Sequence, residues 1–185
     1  MYKNIFLYAT AAVIGFSSVA CSNDDDHPAH IHDHDDIHEL VIKISPEMGN
    51  QTETYSFHHD DQMGEMITLA PNTTYFLEIS ELNVQHNGNL ENHLHEIIEH
   101  KDEHIFLYRS SAPISLERID DATTTRTDGN QLGVKTRITT GDTSAGFLEI
   151  ELKHNASSVS ATDNNNMGSA IGGATDLLAR FGLSF

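Results

Sequence analysis

Apolar residues in this chain recur with a period of two, in short runs closed off by turn residues. Leu40, Ile42 and Ile44 fall on alternate positions, as do Tyr55 and Phe57, and Tyr75, Leu77 and Ile79 follow the turn signal Ala70-Pro71-Asn72. In an extended chain that spacing gathers the apolar side chains on one face, which must be buried against a second layer. Further strands are expected at 105–109, 114–118, 133–139, 147–153 and 177–185, separated by turns such as Asp128-Gly129-Asn130 and Thr140-Gly141-Asp142. About eight short strands at this spacing predict an all-β chain folded as a single Ig-like antiparallel β-sandwich. The Ser, Asn and Gly-rich stretch 157–173 is expected as a long mobile loop before the last strand.

The N-terminus follows a different rule. Lys3 precedes an apolar run from Ile5 to Phe16, and Ser18-Val19-Ala20 supply the small residues a signal peptidase reads. The run is shorter than the roughly 20 residues needed to span a bilayer. Residues 1–20 are therefore expected to be a signal peptide, absent from the mature protein. Cys21, the only cysteine, excludes an intramolecular disulfide and stands where lipid is attached. Ser18-Val19-Ala20-Cys21 resembles the bacterial lipobox, with Ser18 where leucine is usual. Ser22-Asn23-Asp24-Asp25-Asp26 resembles the short acidic signal that sends Bacteroidota lipoproteins to the outer face of the outer membrane. These resemblances imply a lipid-anchored, surface-exposed protein, with the periplasmic face of the outer membrane as the alternative. Residues 21–36 read as a disordered acidic, His-rich tether, and 37–185 as the folded domain.

The formal charge is −18, and removing residues 1–20 deletes Lys3 and no acid. Nucleic acid is excluded as a partner, because phosphate binding needs clustered Lys and Arg. Histidine is the unusual component, at 13 copies against 10 for Lys and Arg together. Imidazole interleaved with carboxylate is ligand chemistry for Zn2+, and also for Cu2+ or Ni2+. In the tether, His30, His32 and His34 share one side of an extended chain and suit a weakly selective scavenging arm. His58 and His59 form a second group, followed by Asp60-Asp61.

One segment departs from period two. Leu90, Leu94, Ile97 and Ile98 recur at helical spacing and predict a short inserted helix over about 89–104. On that wheel His93, Glu96, His100 and His104 fall in one stripe about 80° wide beside the apolar face. Such a stripe is the most specific metal signal in the chain, with His154, at the end of a strand, placed to complete a site with His104. The alternative is an exposed helix edge whose histidines pair with Glu99, Asp102 and Glu103. His100-Lys101-Asp102-Glu103-His104 also spells H-x-x-E-H, but that peptidase pattern belongs to large α/β enzymes. A zinc hydrolase is thus a distant third reading, and no enzyme activity is expected.

Several ordered segments resemble a family of Bacteroidota surface lipoproteins labelled "type 1 periplasmic binding domain-containing", found beside TonB-dependent receptors. They are Pro71-Asn72-Thr73-Thr74-Tyr75, Glu103-His104-Ile105-Phe106, Leu132-Gly133-Val134-Lys135-Thr136, Thr139-Thr140-Gly141, residues 146–154 and Gly172-Gly173-Ala174-Thr175-Asp176-Leu177. The resemblance covers most of the mature domain. It implies that His104, His154 and Asp176 occupy positions where the family keeps two histidines and an acid, and it implies a TonB-dependent receptor as partner. Here His58-His59-Asp60-Asp61 replaces an Asp/Gly-rich loop, and His93, His95 and His100 are added. The expectation is a metal-capturing outer-membrane lipoprotein, accessory to TonB-dependent uptake; the alternative is an Ig-like surface module that binds a protein or glycan without metal.

Overall fold

The computed structural model describes residues 37–86 and 88–185. The expected signal peptide and tether, with Cys21, His30, His32 and His34, lie outside the described residues.

The chain order is β1 (Ile37–Pro46), β2 (Glu53–His58), β3 (Gly64–Thr68), β4 (Thr74–His86), β5 (Asn89–Asn92), α1 (Leu94–Glu99), β6 (His104–Ser110), β7 (Ile114–Arg118), β8 (Lys135–Thr140), β9 (Ala145–His154), β10 (Ser158–Ser160), β11 (Ser169–Ile171) and β12 (Ala174–Ser184). One sheet runs β2-β1-β4-β8-β7 with β5 paired to β4, and the other runs β3-β12-β9-β6. The expected β-sandwich is present, with one departure: β3 joins β12 in parallel, while the other pairings are antiparallel.

The two sheets bury the alternating residues as period two requires. Leu40 and Ile42 of β1, Leu148, Ile150 and Leu152 of β9, and Phe106 of β6 have 0% exposure. They belong to a single apolar cluster that draws on both sheets. Each such side chain contributes roughly 1.5–3 kcal/mol by leaving water.

The stretch expected as a loop over 157–173 contains the two-stranded ribbon β10–β11, with Ser158 opposite Ile171. The loop joining its two strands leans on β6, the edge strand of the second sheet, where Tyr108 N donates to Met167 O at 2.9 Å. Phe106 N likewise donates to Leu132 O at 2.8 Å. An edge strand satisfied in this way cannot pair with another chain. Arg118 binds these coverings together: its guanidinium donates to the carbonyls of Phe106, Gln131, Asn166 and Met167 at 2.7–3.1 Å. Gly133, at φ +93°, lets the chain pass close by, since a Cβ there would sit 2.3 Å from Arg118 Nη1.

The helix differs from its expected extent. It occupies only Leu94–Glu99, because Leu90 belongs to β5 and His104 opens β6. Leu94 and Ile97 are buried as expected, whereas Leu90 is exposed. Beyond Glu99 the backbone is drawn into a turn by the 121–131 loop. Arg126 Nη1 donates to the carbonyls of Lys101 at 2.9 Å and His104 at 2.6 Å, and the Asp102 carboxylate accepts from Thr127 N at 2.7 Å. The roughly three turns of continuous helix that a stripe from His93 to His104 needs are thereby cut short.

Candidate metal centre

Three strands of the second sheet converge at one end. His104 begins β6, His154 ends β9, and the two stand opposite each other in the antiparallel register. Opposed residues in such a pair put their side chains on the same face, and the imidazoles stack with centroids 4.6 Å apart and planes within 8°.

Asp176 arrives by a break in register. On β12, Thr175 pairs with Lys153 and Leu177 with Leu152, so Asp176 is an extra residue between them. A β-bulge sets two residues against one and re-aims the side chain it inserts. Asp176 Oδ2 thereby lies 4.0 Å from His104 Nε2 and 3.7 Å from His154 Nδ1. Gly173 makes the approach possible: at φ +73°, a Cβ there would lie 2.4 Å from the His154 carbonyl oxygen. No L side chain fits that close approach.

The three side chains are 6–9% exposed, and one ligand atom from each lies within 4.8 Å of the others. Among the described residues this is the one group of three or more His, Cys, Asp or Glu that meets that geometry.

Hydrogen bonding fixes which nitrogens face inward. His104 Nδ1 lies 3.0 Å from the His100 carbonyl oxygen, an acceptor only, so Nδ1 carries the proton. Burial holds the His104 imidazole below its ordinary value of 6.5; the neighbouring His154 ring adds to the shift, while the His100 carbonyl, Asp176 and Glu103 oppose it. A neutral ring protonated on Nδ1 presents the Nε2 lone pair to Asp176. At His154, Asn155 Nδ2 donates to Nε2 at 3.0 Å, so the proton sits on Nδ1, 3.7 Å from Asp176 Oδ2; Glu103 Oε2 lies 3.5 Å from the same Nε2. A His154 Nδ1 lone pair toward Asp176 requires the Asn155 amide to turn its oxygen to Nε2, so that Nε2 carries the proton. Carbonyl and carboxylate partners on the outer ring nitrogens are the usual support of metal-bound histidines.

The His104 Nε2 lone pair and the Asp176 carboxylate thus meet in a buried place, and His154 Nδ1 becomes a third donor once its proton moves to Nε2, an arrangement that can take a cation. The donors fit a zinc-like ion after a small contraction, because tetrahedral ligation at about 2.0–2.1 Å sets donors about 3.3 Å apart. Parallel rings cannot both contain one ion in their planes, so loading also requires a ring to rotate.

The other expected ligands are distributed elsewhere. His93 Nδ1 lies 3.0 Å from Glu96 Oε2, and both lie on the β5–α1 segment rather than with His104. His100 terminates the helix and contributes its carbonyl to His104. The stripe of His93, Glu96, His100 and His104 on one helix is therefore replaced by two separate places. His58 lies 3.7 Å from Glu39, its ring 6.2 Å from that of His38, and His59 is exposed in the following turn. Asp176 carried no signal in the residue pattern; the Leu177-Leu178 break in alternation marks its bulge.

No protein-family model, curated protein or solved structure matches this chain.

Proposed function

We propose that this chain is an outer-membrane lipoprotein, anchored to the bilayer through acylated Cys21 and displayed at the cell surface, that binds a divalent transition metal, most suitably zinc, as an accessory to a TonB-dependent receptor. The observation that carries the metal assignment is the inward-facing His104 Nε2. Its sister nitrogen is committed to the His100 carbonyl, so the atom that faces Asp176 at 4.0 Å is an acceptor facing an acceptor. The anchor and receptor rest on the lipobox-like Ser18-Val19-Ala20-Cys21, the acidic residues after it and the family resemblance. His30, His32 and His34 would act as a flexible collecting arm. Two His and one Asp leave a coordination position open, which suits an ion that must be released again.

The test is calorimetry with zinc on the full chain carrying His30→Ala, His32→Ala and His34→Ala. One tightly bound ion that is lost in Asp176→Asn supports the reading; equal binding by both proteins overturns it.

The second reading, a metal-free ligand-binding module, is favoured by one feature. A cavity of about 520 Å³ lies on the outer face of the second sheet, lined by Leu107, Arg109, Glu149, Glu151, Asn164 and Met167 among others. Glycan or peptide binding that is unchanged by a chelator and reduced by Arg109→Ala would favour it.

A further inference from the structure

The cavity of about 520 Å³ on the outer face of the second sheet shares no lining residue with the centre at His104, His154 and Asp176. Its volume lies in the range of small-molecule sites, about 300–1,000 Å³. Strands β6 and β9 supply one side. Leu107 stands opposite Glu151 and Arg109 opposite Glu149, and all four side chains share a face because successive residues of a strand alternate. The other side is the β10–β11 arm, which brings Asn164, Met167 and Ala170 to the cavity.

That arm is held in a costly shape. Asn164, Asn165 and Asn166 follow one another at φ +55°, +59° and +68°, whereas residues with a Cβ ordinarily visit this left-handed region singly. Hydrogen bonds fix the turn: Asn164 Nδ2 donates to Gly168 O at 2.9 Å, Asn166 Nδ2 to Leu116 O at 3.1 Å, and Arg118 Nε to Asn166 O at 3.0 Å. Backbone of this kind gathers at ligand clamps, where it forms a wall before the ligand arrives.

The charges on the strands select the ligand. Glu149, 4% exposed, is matched by two guanidiniums, with Arg109 Nε at 3.2 Å and Arg180 Nη2 at 2.6 Å. Glu151 lies 3.6 Å from Arg109 Nη2 and 3.8 Å from Lys153 Nζ. Each charge in the group thus has its opposite nearby, and an ionic ligand would have to displace one. A hydroxyl displaces none, because it donates and accepts at once. It can bridge the 3.6 Å between Arg109 Nη2 and Glu151 Oε2, which is too long for a direct hydrogen bond. Leu107 and Met167 offer aliphatic surface to the C–H face of a sugar ring.

We propose, resting on the cavity of the second reading above, that it binds a short neutral oligosaccharide through Arg109 and Glu151, whether the metal centre is loaded or empty.

The probes are maltotriose, cellotriose, xylotriose and mannotriose, titrated separately into the full chain with a chelator present and followed by backbone amide NMR signals; triglycine is the comparison. At least one trisaccharide should shift signals of residues 107–109, 149–151 and 164–170 saturably. Arg109→Met, which leaves Glu149 paired with Arg180, and Glu151→Gln should each weaken it at least tenfold, while Asp176→Asn binds it as the parent does. Silence at these residues with all the sugars, or undiminished affinity in both cavity variants, would overturn the sugar site. A sugar response lost in Asp176→Asn would overturn it by placing binding at the metal centre. A response to triglycine alone would overturn it too, yet would leave the metal-free ligand-binding module standing.

Discussion

His104 and His154 face each other across β6 and β9 with their rings stacked 4.6 Å apart and nearly parallel. A ligating nitrogen directs its lone pair in the plane of its ring, so an ion shared by both must break the stack. Zinc should therefore move the ring-proton NMR signals of both histidines, with separate free and bound signals if exchange is slow. Rings whose signals stay fixed at saturating zinc would exclude the centre. Asp176→Asn keeps the shape and removes the charge; it should weaken zinc at least about tenfold, equivalent to roughly 1.4 kcal/mol.

Gly173 is the backbone condition for that geometry. A substituted Cβ would meet both the His154 carbonyl oxygen at 2.4 Å and Ala156 N at 2.7 Å, in a left-handed conformation. Gly173→Ala should cost about 1–3 kcal/mol of folding stability and weaken zinc further than the same substitution at Gly88, where a Cβ meets nothing within 4 Å. Urea denaturation and calorimetry on the two variants separate these effects. Equal losses at both glycines would mean that the close approach at His154 does not matter.

The sandwich was legible because period two survives burial: Leu148, Ile150 and Leu152 are the inward residues of β9 and are fully buried. Strand β3 was not, since Met63-Gly64-Glu65-Met66 lacks alternation and its place is set by a parallel partner, β12. The helix was overextended because Leu90, Leu94, Ile97 and Ile98 satisfy a 3.6 period across a hairpin. The sequence pair Asn87-Gly88 is a strong signal for a two-residue hairpin turn and marks the residues after it as strand β5 rather than helix. The pairing of His104 with His154 was legible from the strand end at His154, although His104 was expected on the helix and instead opens β6. Asp176 entered only through family resemblance, since a bulge is a register event between strands and leaves little trace in one sequence.

Arg118 offers a control that is structural and remote in role from the ligands. Its guanidinium donates to four carbonyl oxygens from β6 and two loops, and burial holds it below its ordinary value, with Tyr108 and Asp120 opposing that shift. Arg118→Met should leave those carbonyls without donors, destabilising the fold by about 1–3 kcal/mol. At temperatures where the variant remains folded, zinc stoichiometry should be unchanged. A variant as stable as the parent in urea would refute this account of how the edge of β6 is closed.

The buried imidazole also sets a pH dependence. His104 has a folded-state value below 6.5, chiefly through burial, so the unfolded chain binds its proton first as pH falls. Stability rises with pH wherever the unfolded state holds more protons. The contribution of His104 is therefore complete above 6.5 and drains away as pH falls from there through the lower folded value. Metal-free protein should lose stability across that interval, and His104→Gln, which cannot titrate, should show a shallower slope between pH 7.5 and 5 in urea denaturation. Zinc steepens the same dependence, because the ion and the proton compete for Nε2. Parallel slopes for parent and His104→Gln, with and without zinc, would show that this ring neither titrates on unfolding nor ligates.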